Sequence, residues 1–178
     1  MRNRGSCTSA QIARRKQTMI IGITGTNGAG KGTVVEYLKS KGFAHYSARE
    51  FIYEEIDRRG LPRNRDTTNQ VANDLRKMHG PAHIIQSLYE RALKEGKDAV
   101  VESVRTLGEA RRLKEDGMIL FAIDADRALR YERSISRGTE LDKISFEKFC
   151  EQEDREMAQT EVWDMNIFGV MQMADAVF

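Results

Sequence analysis

Residues 25–33 read Gly-Thr-Asn-Gly-Ala-Gly-Lys-Gly-Thr, a stretch with four glycines, one lysine and no acid. Gly25, Gly30 and Lys31 satisfy the spacing G-x-x-x-x-G-K. In that spacing successive backbone N–H groups curl into a concave anion site, and the helix that follows aims its positive end at the same point. Glycine is required because side chains would block the approach. Gly25, Asn27, Gly28, Ala29, Gly30, Lys31, Gly32 and Thr33 are therefore the candidate ATP-binding residues, with Lys31 the mobile cation for the outer phosphates. The bare pattern arises by chance in about one chain in twenty of this length, and a strand before it with a helix after it cuts that about tenfold. Gly32 stands where the general pattern has Ser or Thr, and Thr33 follows it. Magnesium is then expected to be held mainly through water and the phosphates.

Other polar groups recur at chemically suggestive spacings. Arg127, Arg130, Arg133 and Arg137 lie three or four apart and share overlapping faces of one helix. Next to a triphosphate, Arg133 and Arg137 would neutralise charge on the moving phosphoryl group, whereas Arg127 and Arg130 read as a solvated basic face laced to Glu132. His79 and His83 are four apart, but Gly80-Pro81 interrupts the helix between them, which argues against a metal pair. Tyr53 reads as core or as a surface on which a base could stack. Trp163 and the methionines at 157, 165, 171 and 173 read as packing.

The elements that must position these groups alternate. Residues 19–24 predict a short buried strand, with Ile20, Ile21 and Ile23 β-branched and glycines ending it. Helix patterns follow at 33–41, closed by Gly42, and at 49–59, stopped by Gly60 and Pro62, with a short strand at 44–47 between them. Two more helices, 67–78 and 82–95, are split by Gly80-Pro81. Strands at 99–103 and 118–124 flank a helix at 107–115. Helices at 127–137 and 145–158 precede the start of a last strand at 175–178. Strands alternating with helices mean a parallel sheet covered on both faces, with ligands beyond the carboxyl ends of the strands, where the glycine loop falls. The chain stops in that last strand, which reads either as a domain cut short of its closing element or as one joined to a further segment.

The 178 residues suffice for one domain with a real core, and nothing repeats or is of low complexity. No apolar run approaches the length of a membrane span. Residues 1–18 hold five of the 29 basic side chains and none of the 27 acidic ones, so the remainder is mildly acidic. That argues against a nucleic-acid surface. The basic tail reads as a disordered extension or an upstream start before Met19, with an organelle-transit peptide the sharper alternative. Cys7 and Cys150 form no metal or redox spacing, which fits a reducing, cytoplasmic compartment.

Across residues 19–178, the ordered segments GTNGAGKGT, HYSAREFIYEE, NDLRKMHGPAHI, VVESVRTLGE, RYERSISRG and ADAVF resemble P-loop nucleotide kinases related to adenylate kinase and dephospho-coenzyme-A kinase. The Lys31-Gly32-Thr33 variant is the one found in the nucleoside monophosphate kinases. The resemblance implies an α/β P-loop NTPase fold, three-layer α/β/α with a five-stranded parallel sheet. It also implies an acceptor-binding helical insert after strand 2 and a small lid after strand 4.

By the same resemblance Glu102 ends a strand where the family carries a carboxylate, commonly Asp, that holds magnesium waters or orients the attacking group. Lys31, Glu102, Arg133 and Arg137 are then the expected catalytic residues, and Thr33 and Glu102 the expected magnesium-facing ones. Ser47, Arg49, Arg76 and Arg105 are the expected acceptor-binding set. Family members often place an arginine at the position of Tyr53; its absence leaves Arg49, Arg58 or Arg76 to substitute, or points to an acceptor other than a simple nucleoside monophosphate. The implied activity is ATP- and Mg2+-dependent phosphoryl transfer to a nucleotide-like small molecule, a nucleoside monophosphate or, alternatively, dephospho-coenzyme A. A nucleotide-binding regulatory module fused to a nucleotide-metabolising domain is the reading from another class. The chain has no H-x-E or P-C-x-x-C deaminase motif and no Asn-Lys-x-Asp guanine signature.

Overall fold

The computed structural model describes residues 18–138, 144–157 and 160–178. The basic tail, apart from Thr18, and the stretch 139–143 after Gly138 lie outside the described residues. Five parallel strands form one sheet: β1 (Ile20–Gly25), β2 (Ala44–Ser47), β3 (Ala99–Glu102), β4 (Ile119–Ile123) and β5 (Ala176–Val177), ordered β2-β3-β1-β4-β5. The helices are α1 (Lys31–Ser40), α2 (Ala48–Arg58), α3 (Arg65–His79), α4 (His83–Glu95), α5 (Leu107–Glu115), α6 (Arg127–Ser136), α7 (Phe146–Met157) and α8 (Ile167–Gln172).

The two-residue period of the strands divides the core. Ile21, Ile23, Val100 and Ile123 turn to one face, where they meet Val35 and Leu38 of α1. Ile20, Ala99, Val101 and Leu120 turn to the other, packed against the apolar sides of α2 to α5 and Val170 of α8. Burial on both faces explains why β1 and β3 read as near-continuous apolar runs. The central position of β1 places the end of that strand, and the loop leaving it, over the middle of the sheet.

Two local differences from the sequence reading matter. Helix α1 begins at Lys31, not Thr33, because Gly30 takes a left-handed conformation and its carbonyl accepts from Thr33 N at 2.9 Å, closing the first turn. Helix α8 went unread: six residues with a central glycine carry too little period to show. Its stop-start signal is Asn166, whose side chain accepts from Gly169 N.

Candidate active site

The glycine loop is pinned by close approach. Gly25 has φ +130° and a Cβ there would meet Ile123 O at 1.9 Å; Gly28 has φ +78° and a Cβ would meet Arg130 O at 2.2 Å. Only glycine fits either position, and the loop is clamped between β4 and α6 as a result. Helix α1 then starts with no side-chain cap and no acid in its first turn. Apart from the N–H groups of Thr33 and Val34, which return to Gly30 O, the first turn can offer its donors and positive end to an anion.

These groups open on a hollow of about 470 Å³ lined by the loop, Lys31, Thr33, His45, Ser47, Glu102, Arg133 and Arg137. Lys31 Nζ donates to Gly25 O at 3.0 Å and Thr26 O at 2.6 Å. Burial, with Arg105, Arg137 and Arg49 nearby, pulls its pKa down to about 7 against the opposing pull of Glu102. Arg133 Nη1 donates to Ala29 O at 3.4 Å, and Arg137 Nη2 to Asn27 Oδ1 at 3.1 Å, so Arg133 of α6 and Arg137 at its C-cap both reach the loop.

Glu102 ends β3 directly beside Ser47 of β2. His45 Nε2 lies 3.1 Å from its Oε2, and this hydrogen bond, ahead of Lys31 and Arg49, holds the carboxyl below its ordinary range. Ser47 itself caps α2 by accepting from Glu50 N. Ser103, which follows Glu102, has φ +75°, a strained conformation for a side chain that lines the site.

A second cavity of about 210 Å³ adjoins the first and shares Asn27, Arg49, Ser103, Arg105 and Arg137 with it. Its far walls come from α2 and α3: Ile52, Tyr53, Thr68, Asn69, Ala72 and Arg76, with Met165 opposite. Five arginines, Arg49, Arg65, Arg76, Arg105 and Arg137, border this half-apolar space. Arg49 makes no hydrogen bond or ion pair among the described residues. Burial lowers the pKa of Arg105, whose side chain is 30% exposed, with Glu156 opposing the shift.

Arg76 is buried and gives Glu109 Oε1 two hydrogen bonds, at 3.0 and 2.8 Å. The other oxygen, Oε2, accepts from the backbone of Arg105 at 2.8 Å and of Thr106 at 3.1 Å. Thr106 and Glu109 form a capping box at the start of α5. Arg76 thus borders the cavity and braces the loop that presents Arg105.

Of the expected loop, Gly25 and the buried Ala29 line neither space; Asn27, Gly28, Gly30, Lys31, Gly32 and Thr33 line the first, as do Glu102, Arg133, Arg137 and Ser47, and Arg49, Arg76 and Arg105 border the second. Arg58 is not among them; it faces Glu55 at the surface. Arg65, His45, Asn69 and Glu156 also border the site, and the sequence reading passed over them. Arg65 follows Asn64, whose side chain caps α3 by accepting from Thr67 N, a signal visible in the sequence. Arg130 departs from the reading of a solvated face: it is buried, with Nε donating to Ala125 O and the guanidinium held by Glu153. Arg127 is half exposed and pairs with Glu153 and Asp154 rather than Glu132. The His79 and His83 rings stack at 4.5 Å, and among the described residues no cluster of three or more His, Cys, Asp or Glu could hold a metal. Among the described residues no helix is long and apolar enough to cross a membrane.

Comparison with known proteins agrees with this architecture. Residues 21–164 match the family described as AAA domain. A UPF0200 protein of Methanococcus vannielii is 30% identical over 89% of this chain and 84% of its own. Among solved structures, TT1252 from Thermus thermophilus superposes with a TM-score of 0.53 at 23% identity, over 91% of this chain and 88% of that one. Shikimate kinase from Acinetobacter baumannii, solved in complex with shikimate, gives a TM-score of 0.50 at 13% identity, over 91% and 83%. Both likenesses are of fold.

Proposed function

Given that the chain belongs to the AAA-domain family and has a P-loop kinase-like fold, we propose that it transfers the terminal phosphoryl group of ATP to a nucleotide-like small molecule, in the first instance a nucleoside monophosphate. The observation that carries this reading is the adjoining pair of spaces: an anion hollow at the head of α1, and an arginine-bordered, half-apolar cavity sharing Arg49, Arg105 and Arg137 with it. Two anionic ligands placed there would meet end to end.

The chain's own residues divide the work. The loop amides of residues 25–33 cradle the phosphates, and Lys31 swings from its carbonyl partners to the outer ones. The residues suit magnesium carried in with the nucleotide: Glu102 is an available carboxylate and Thr33 an exposed hydroxyl at the first turn of α1. That ion would supply charge neutralisation on the phosphates. Arg105 and Arg49 hold the acceptor's anionic end. An acceptor oxygen then forms a bond to the terminal phosphorus as the bond to the bridging oxygen breaks, and the product diphosphate leaves with that oxygen. Arg133 and Arg137 stabilise the charge on the group in flight.

A depressed pKa makes Glu102 a weak base. That favours a phosphate oxygen, which has no proton to surrender, over the ribose hydroxyl of dephospho-coenzyme A. The test is a panel of nucleoside monophosphates and dephospho-coenzyme A with ATP and magnesium, with Lys31→Ala as control. Turnover of a monophosphate that the variant loses supports the proposal. Tight ATP binding with transfer to none of them would instead mean a nucleotide-binding module.

A further inference from the structure

We infer that Glu156 is a built-in stand-in for the acceptor's anionic group, displaced by a dianionic phosphate but not by a single carboxylate. The inference rests on the acceptor cavity proposed above, though not on phosphoryl transfer itself. Glu156 lies on α7, outside the helical insert, and is only 8% exposed. One oxygen contacts Arg65 Nη2 and the other lies 3.7 Å from Arg105 Nη1. Both arginines border the cavity, one from α3 and one from the loop after β3, and no other ion pair holds Glu156 among the described residues. Any anion entering to use those two guanidinium groups meets a carboxylate already seated between them.

Charge decides what can take its place. A monocarboxylate would exchange one single charge for another and gain little. A phosphate dianion has three oxygens, enough to span Arg65, Arg105 and Arg49 together. Arg76 adds no free charge, because Glu109 balances it. Glu156 therefore selects the acceptor by the charge and shape of its anionic end.

The same helix reports on the phosphate-binding loop. Glu153, one turn earlier, holds Arg130, whose Nη1 donates to Asn27 O at 3.4 Å. The seat of α7 is also imperfect: a space of about 20 Å³ lies between it and the loop. Gln152 Oε1 and Arg65 Nε, both lining that space, lack a hydrogen-bond partner among the described residues. Displacing Glu156 removes one of the contacts that keep this face of α7 down, beside those of Glu153 and Phe149.

The experiment uses the full chain saturated with magnesium and a non-hydrolysable ATP analogue, so that the loop is filled and added anions find only the second cavity. Inorganic phosphate and acetate are titrated at matched ionic strength, following heat and amide exchange across residues 146–157. Phosphate should speed exchange in α7 and acetate should not. Glu156→Gln should bind phosphate about tenfold more tightly, as removal of a competing closed state requires, and should show fast α7 exchange before phosphate is added. Phosphate that binds no better than acetate, α7 exchange indifferent to phosphate, or a variant binding phosphate equally or more weakly would overturn the inference. If the variant fails to fold, the wild-type comparison of the two anions still decides. A chain that transfers phosphate to nothing, yet passes this test, would refute the kinase proposal and leave this one standing.

Discussion

Lys31 Nζ lies 2.6 Å from the carbonyl oxygen of Thr26, so the cation that would face a polyphosphate is folded back on its own loop. Its surroundings are poorly suited to charge: it is half-buried, and Arg105, Arg137 and Arg49 outweigh Glu102. The site is electrostatically incomplete without an anion.

That incompleteness predicts proton uptake on nucleotide binding. The surrounding protein groups pull the Lys31 pKa to about 7; phosphates beside it favour the ammonium form and raise that value. At pH 6 the side chain is protonated before and after binding, and little uptake is expected. At pH 8 it is mostly neutral before and charged after, so about one proton should be taken up and affinity should fall as pH rises further. Calorimetry of ATP binding in buffers of differing ionisation enthalpy measures this. Heats at pH 8 that ignore the buffer, or a dependence that survives in Lys31→Ala, would show that another group is responsible.

Gly28→Ala should disable the loop by geometry alone. The added methyl would stand 2.2 Å from Arg130 O, and φ of +78° is left-handed. The backbone cost is about 1–3 kcal/mol before any displacement of α6 is counted. Gly32→Ala is the matched control, since nothing lies within 4 Å of its added Cβ and it sits in the first turn of α1. Its folding stability should hold or rise by about 0.5–1 kcal/mol. Urea unfolding of both variants tests the contrast, and equal losses would contradict the clamp between loop and α6.

The five strands, the helices other than α8 and the glycine loop were legible because each rests on local pattern, whereas Arg105 was picked out only by the family resemblance. Ile20, Ile21 and Ile23 mark β1 through their type, and Gly25 to Lys31 through spacing. What stayed hidden depends on partners distant in the chain. The spacing of Arg130 with Arg127 and Arg133 describes a helix face but cannot say that Glu153 lies opposite it. Arg65 stood two residues outside the helix as read, so its reach into the cavity could not be inferred. Glu109 was the nearest miss: Thr106-x-x-Glu109 announces a capping box, while its second partner, Arg76, is 33 residues away.

The Arg76–Glu109 pair should be costly to break on one side only. Both side chains are buried, at 3% and 0% exposure. Arg76→Met leaves a carboxylate without its counter-charge and should lose about 3–5 kcal/mol. Adding Glu109→Gln removes that charge but keeps an acceptor for the amides of Arg105 and Thr106, so the double variant should be more stable than Arg76→Met alone. Denaturant unfolding of the four members of this cycle yields the coupling. A double variant as unstable as the summed singles would mean the two residues act separately.

The last prediction concerns the pairing of Glu102 with His45. The carboxyl is held below its ordinary range chiefly by the hydrogen bond across β2 and β3, with Lys31 and Arg49 adding to it. If the ionised form supports turnover, activity falls as pH drops through this lowered pKa. The acid limb of kcat/KM should therefore lie below the usual carboxylate value of about 4.3. His45→Ala removes the largest cause and should move that limb upward, leaving the rate near pH 7 less affected. Glu102→Gln should remove the limb altogether and cut kcat by about 10²–10³, the scale of losing one electrostatic or positioning group in phosphoryl transfer. A limb that stays in place in His45→Ala, together with near-normal turnover by Glu102→Gln, would take Glu102 out of the reaction and leave its bond to His45 a tie between two strands.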